Sequence, residues 1–167
     1  SRNLQEAVES LGHNIAPRLL LPHVFAAYHK ALAHGDAALS RLLGVVGGIC
    51  GGLDADGVRA HYKALYKFFL RAMGLRAAAQ GGALSSLKDL DRVEQAAVEA
   101  LMKLVLKLNE DQLKGLFLKT LEWVGAATAF AGDEDEVDGA IAKSIPFFRL
   151  VLQLANTLKG IFVPFFG

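Results

Sequence analysis

Side chains able to do chemistry are thinly scattered along this chain, and their spacing argues against a catalytic centre. Histidines stand at 13, 23, 29, 34 and 61. Only His29 and His34 are close in sequence, and five residues is not the step that puts two imidazoles on one helix face for a metal. The run Gly47-Gly48-Ile49-Cys50-Gly51-Gly52 is rich in glycine. It lacks the Lys-Ser/Thr of a phosphate loop and follows no strand, so it reads as tight helix packing. Asp133, Glu134, Asp135, Glu136 and Asp138 crowd one segment without the spacing, glycine and closing glutamate of a calcium loop; an acidic, solvated loop is expected there. The single Cys50 lies in an apolar run and reads as a buried, inert thiol with no disulfide partner in the chain. No residue is put forward as catalytic, metal-binding or cofactor-binding, and the chain is not expected to be an enzyme.

One surface pattern stands out. Arg59, Lys63, Lys67 and Arg71 recur every fourth residue, which lines them up on one face of a helix. No acid at matching spacing in that helix neutralises them, and like charges four apart repel by a few tenths of a kcal/mol per pair. Such a stripe is a candidate contact for RNA phosphates or for an acidic protein. The competing reading is a solvated face that borrows acids from a neighbouring helix. Lys103, Lys107, Lys114 and Lys119 are weaker candidates of the same kind.

The elements that would carry these residues are helices. Within 101–123, Leu101, Leu104, Val105 and Leu108 share one helical face. Asn109-Glu-Asp-Gln112 then forms a capping box for a new helix, whose Leu113, Leu116, Phe117, Leu121 and Val124 build a second apolar face. Glu110 and Asp111 favour that helix's positive end. The stretch therefore reads as two antiparallel helices with almost no loop. Elsewhere helices are expected over 4–11, over 17–35 with a kink or restart at Pro22, and over 37–52 behind an Asp36 cap. Further helices fall over 55–79 behind Asp54 or Asp56, from Ser85 or Ser86 to 108, over 110–130, and over 139–163 with a bend at Pro146. The 37–52 helix is nearly free of charge and should be the most buried. In the last helix Ile145, Phe148, Leu152, Ala155, Leu158 and Phe162 are expected on the apolar side. No segment alternates with period two between hairpin turns, so no strand is expected.

Hydrophobic residues make up 53% of the 167 positions and the net charge is +1, which gives no global signature of a nucleic-acid binder. The longest charge-free apolar run is too short and too glycine-rich for a spanning helix, which needs about 20 apolar residues; no membrane association is expected. Seven helices with short connections imply an all-α domain. Pairing in hairpins at a HEAT-type period, with several helices apolar on more than one stripe, implies a HEAT-like α-solenoid of about seven helices in stacked antiparallel hairpins. The chain is expected to be one segment, 1–167, cut at both ends from a larger protein.

Several stretches resemble one known family. Lys107, Leu108, Asn109, Glu110, Lys114, Leu116, Phe117 and Trp123 fall in the pattern of the C-terminal HEAT-repeat region of the U-three small nucleolar RNA-associated protein ten family. The segment 144–166, with Phe148, Arg149 and Pro164, is similar to that family's Phe-aromatic-Arg-Leu and Phe-Val-Pro-aromatic-Phe motifs, and 68–76 and 16–22 are similar to its preceding repeats. Gly115 stands where the pattern has proline, and Gly74 where it has an acid. The resemblance implies a nucleolar, nuclear scaffold of the small-subunit processome that supports pre-rRNA transcription and processing. Its implied partners are other processome proteins, with pre-rRNA or small nucleolar RNA left open and no small-molecule substrate. The alternative on the same fold is a karyopherin-like transport or adaptor solenoid that binds cargo peptides.

Overall fold

The computed structural model describes residues 16–79, 88–128 and 134–162. They form α1 (Pro17–Ala33), α2 (Asp36–Gly52), α3 (Ala55–Met73), α4 (Leu75–Ala79), α5 (Leu90–Val105), α6 (Glu110–Thr128) and α7 (Glu134–Phe162), with no strand among them. The expected helix over 4–11, and Ser85 and Ser86, lie outside the described residues; the helix expected from those serines to 108 begins instead at Leu90, capped by Asp89, and ends at Val105.

Local chemistry explains where several helices start. Asp54 Oδ1 accepts the Gly57 N–H at 2.7 Å and Asp89 Oδ1 accepts that of Arg92 at 3.0 Å, each satisfying a donor that a helix start leaves unpaired. The capping box forms as expected. Gln112 N–H donates to Asn109 Oδ1 at 2.8 Å, and Asn109 N–H to Gln112 Oε1 at 3.1 Å. Asp36 behaves differently. It is the first residue of α2 rather than its cap, and its carboxylate accepts the N–H groups of Lys88 and Asp89, 52 and 53 residues away. It therefore ties the start of α2 to the start of α5.

Three pairs follow from the packing: α1 on α2, α3 on α5 and α6 on α7. Gly35 takes φ 93° in the two-residue turn joining α1 to α2, a left-handed conformation that costs glycine little. At the far end, Phe117 lies against Phe147 and the Lys143 ammonium against Trp123, so α6 and α7 run in opposite directions. The pairs then stack on one another. Gly47 abuts Ala100, and Tyr66 bonds Thr120, 54 residues on. α5 thus runs parallel to α2, in the most extensive contact of the fold, and α6 touches α3 in the same sense, through Tyr66 with Thr120 and Trp123 beside Gly74. A step of about fifty residues between stacked helices, 52 and 53 at Asp36 and 54 at Tyr66, is the mark of a repeat. The fold is the HEAT-like α-solenoid that the sequence implies.

Several expectations are corrected in detail. Helices α5 and α6, expected as a hairpin, pack mainly on other helices, so the short connection at 106–109 is a corner between pairs. α1 runs through Pro22, so the helix does not restart there. The helix expected to reach 79 stops at Met73 and restarts at Leu75; Gly74, at the break, leaves room for the Trp123 ring. The most buried helix is α5, with nine buried residues against six in α2, because α5 is flanked by α2, α3 and α7. Of the glycines of α2, Gly47 meets a neighbouring helix, while Gly44 and Gly51 face open space. The backbone from Glu134 onward is helical rather than looped, since acids at a helix start complement its dipole. α7 buries Phe147, Leu150 and Leu154, whereas Ile141, Phe148 and Leu152 stay 56%, 65% and 64% exposed.

Candidate functional site

All four residues of the basic stripe are exposed on α3, but they are not equivalent. Arg59 pairs with Asp56 at 3.6 Å, on the same helix, a neutralising acid that four-residue spacing does not disclose. Arg71 lies over the Tyr28 ring at 4.9 Å and donates to His29 Nε2 at 3.1 Å. These contacts occupy the two ends. Lys63 rests 5.9 Å from the centre of the adjacent Tyr62 ring, and among the described residues neither it nor Lys67 has a carboxylate within ion-pair distance.

The unpaired middle of the stripe forms one wall of a groove of about 360 Å³ between α3 and α6. Lys119 stands on the opposite wall, Leu70, Tyr66 and Leu116 line it, and Asp111 is its one acid. The Tyr66 hydroxyl is 2.9 Å from Thr120 Oγ1, and that oxygen donates to the Leu116 carbonyl at 2.8 Å. Thr120 has a single hydroxyl proton, so Tyr66 must be the donor in the first bond. Burial raises the Tyr66 phenol above its usual pKa, with the contact to Thr120 only partly offsetting it. The ring is therefore held as a neutral, fixed part of the lining.

A second polar cluster joins α4, α5 and α7. Glu94 is fully buried in α5. Arg76 Nε donates to its Oε1 at 2.7 Å, and Arg149 donates to its Oε2 at 3.1 Å. Both guanidinium groups also reach Asp91 Oδ1, at 2.7 Å and 2.5 Å. The hydrogen bond and charge of Arg149 hold the Asp91 carboxyl below the usual carboxylate range, with help from Arg76. The Arg76 guanidinium is raised, first by its hydrogen bond to Glu94. Two cations and two anions close on one another here, which leaves a structural tie rather than a free reactive group. Its sequence signal is an acid on an apolar face: Glu94 stands among Leu90, Val93, Ala97 and Val98, where only a paired carboxylate is stable.

The residues singled out by family resemblance divide between half-buried and exposed positions. Arg149 completes the cluster just described. Phe117 lies 6.2 Å from Phe147, and Trp123 sits under the Lys143 ammonium at 5.4 Å. Lys107, Glu110 and Lys114 are exposed at or after the α5–α6 corner, with the Lys107 N–H donating to the Leu104 carbonyl at 2.9 Å. Phe148 points outward, edge-on to Phe147. Pro164 lies outside the described residues. The fold brings Phe117, Trp123 and Arg149 to the seams of α7, and leaves the basic stripe on a separate face. Sequence reasoning missed Arg76, Asp91 and Glu94 as a cluster and missed Lys119 as part of the α3 surface.

Cys50 is buried, and burial pushes its thiol up to about 12 despite the Lys103 charge. Among the described residues no group of three His, Cys, Asp or Glu side chains could hold a metal, and no helix is long and apolar enough to cross a membrane.

Comparison with known proteins adds an independent line. A family model described as the BP28CT (NUC211) domain matches residues 57–167. A HEAT repeat-containing protein 1 homolog of Dictyostelium discoideum is 31% identical over 196 residues, covering 94% of this chain and 8% of the relative. HEAT repeat-containing protein 1 of Danio rerio is 28% identical over 168 residues, covering 100% of this chain and 7% of the relative. U3 small nucleolar RNA-associated protein 10 of Mycosarcoma maydis is 29% identical over 172 residues, covering 96% and 8%. The chain thus spans less than a tenth of the length of these relatives. No solved structure matches.

Proposed function

Because the chain belongs to the BP28CT (NUC211) domain family, we propose that it is a non-catalytic segment of a large HEAT-repeat scaffold acting in small ribosomal subunit biogenesis. Its place is the nucleolar small-subunit processome, where it supports pre-rRNA transcription and processing by holding protein partners, with RNA contact through the same parent assembly. The observation that carries this reading is the similarity, along nearly the whole chain, to proteins named for association with U3 small nucleolar RNA. The stacked hairpins support it, since a solenoid offers extended faces for binding rather than a catalytic cleft. On this reading the exposed face of Arg59, Lys63, Lys67 and Arg71 is the partner surface, with its unpaired centre contributing most of the binding.

The test is affinity purification of the tagged full-length parent, with protein and RNA identified from one eluate. Small-subunit processome proteins together with U3 and precursor ribosomal RNA are the expected recovery. A transport GTPase with soluble cargo, and no ribosomal precursor, would overturn the scaffold reading in favour of a karyopherin-like adaptor.

A further inference from the structure

We propose that the groove between α3 and α6 binds an acidic protein segment that seats an apolar side chain between opposed lysines. The inference rests on reading this face as a partner surface and goes beyond it in naming the occupant. Lys63 and Lys67 are one helical turn apart on α3, about 6 Å along the axis, and Lys119 faces them from α6. None has a carboxylate within ion-pair distance among the described residues. The lining between them is mostly apolar, with Leu70 and Tyr62 part-exposed over the buried Leu116 and Tyr66. An apolar centre inside a charged rim is the anatomy of a protein interface. A guest with acids flanking one large apolar residue would satisfy both parts at once. Asp111 is the groove's own acid, and it orients the guest by repelling acidic groups from its end.

The alternative polyanion, single-stranded RNA, fits the lining less well. Grooves for single strands present open aromatic faces on which bases stack. Here Tyr66 is buried with its hydroxyl engaged by Thr120, which leaves Tyr62 as the one part-exposed ring in the lining rather than a row of open faces. The tie from Tyr66 to Thr120 also holds the two helices together across the groove, so its shape is set before a partner arrives, which lowers the ordering cost of binding.

The 167-residue chain can be titrated by fluorescence anisotropy with three labelled probes. These are a peptide of glutamates flanking one phenylalanine, the same peptide with serine for phenylalanine, and oligouridine. The expected result is saturable binding of the first peptide, weakened about tenfold by Lys67→Glu combined with Lys119→Glu. The serine peptide should bind several-fold more weakly, and oligouridine more weakly than the first peptide. Circular dichroism of the variant verifies that helix content is unchanged. Equal binding of the two peptides would reduce the groove to bulk charge, and tighter binding of oligouridine would make nucleic acid the occupant; either overturns the proposal. So would insensitivity to the double reversal, or absence of peptide binding. If reversal of the stripe still releases the parent from its particle in those cases, the scaffold reading stands and only the occupant is wrong.

Discussion

Glu94→Gln tests the tie between α4, α5 and α7 most sharply. The substitution keeps the side chain's shape and removes its charge, leaving Arg76 and Arg149 to share Asp91 alone. Three hydrogen bonds now end on the Glu94 carboxylate, at 2.7, 2.9 and 3.1 Å. Each charge-assisted bond is worth about 1.5–3 kcal/mol, but the full sum is not lost. Arg76 and Arg149 are 24% and 30% exposed and recover some hydration, while the amide oxygen of the substituted side chain still accepts one bond. Breaking a buried pair by removing one member costs about 3–5 kcal/mol, and the lower end applies here. The expected cost is about 3 kcal/mol, which lowers Tm by about 6–12 °C for a chain of this size. Thermal unfolding followed by circular dichroism reads it. A double-mutant cycle with Arg149→Met should return a coupling of about 1–3 kcal/mol. A Glu94→Gln cost of less than about 0.5 kcal/mol, the range of an ordinary surface change, would refute the reasoning.

Gly44→Ala and Gly47→Ala, on the same helix, should have opposite signs by urea denaturation. Gly44 opens onto free space, so alanine gains about 0.5–1 kcal/mol of helix propensity. At Gly47 a Cβ would lie 3.1 Å from the Ala100 Cα, a backbone atom that cannot turn aside, so overpacking should cost about 1–3 kcal/mol. The Asp91 carboxyl is held low in the folded chain, so its contribution is complete above the ordinary carboxylate range and fades as pH falls through the lowered value. Unfolding midpoints across an acid series should therefore decline on the low-pH side, and Asp91→Asn should flatten that decline.

The Asp54 cap, the capping box at Asn109 and Gln112 and the stacked architecture were legible because each depends on local chemistry or on periodicity. The pairing of helices was less so. A capping box announces that a helix begins at 110 but not which helix it will lie against, and that choice is made by the faces of α6 and α7. The same limit explains α7, whose sequence offers two apolar faces: Phe147, Leu150 and Leu154 face the core, and Phe148 and Leu152 do not. The glycines of α2 look alike in sequence, yet only the stacking of α2 on α5 decides that Gly47 touches a neighbour while Gly44 and Gly51 do not. On the candidate surface, spacing by four placed the stripe correctly on one face. It could not disclose that Asp56, Tyr28 and His29 engage its ends, or that Lys119 joins its centre across the groove, since those contacts arise three residues away or from other helices.

The most direct test of the central claim, that this segment links its parent to a pre-ribosomal particle through the α3 face, is the co-purification of that particle with a charge-reversed parent. Arg59, Lys63, Lys67 and Arg71 are replaced together by glutamate in the tagged full-length protein, and small-subunit precursor RNA is measured in the eluate against the unmodified parent. The account predicts a normally abundant parent that recovers much less precursor. Undiminished recovery by a stable, folded variant would contradict it.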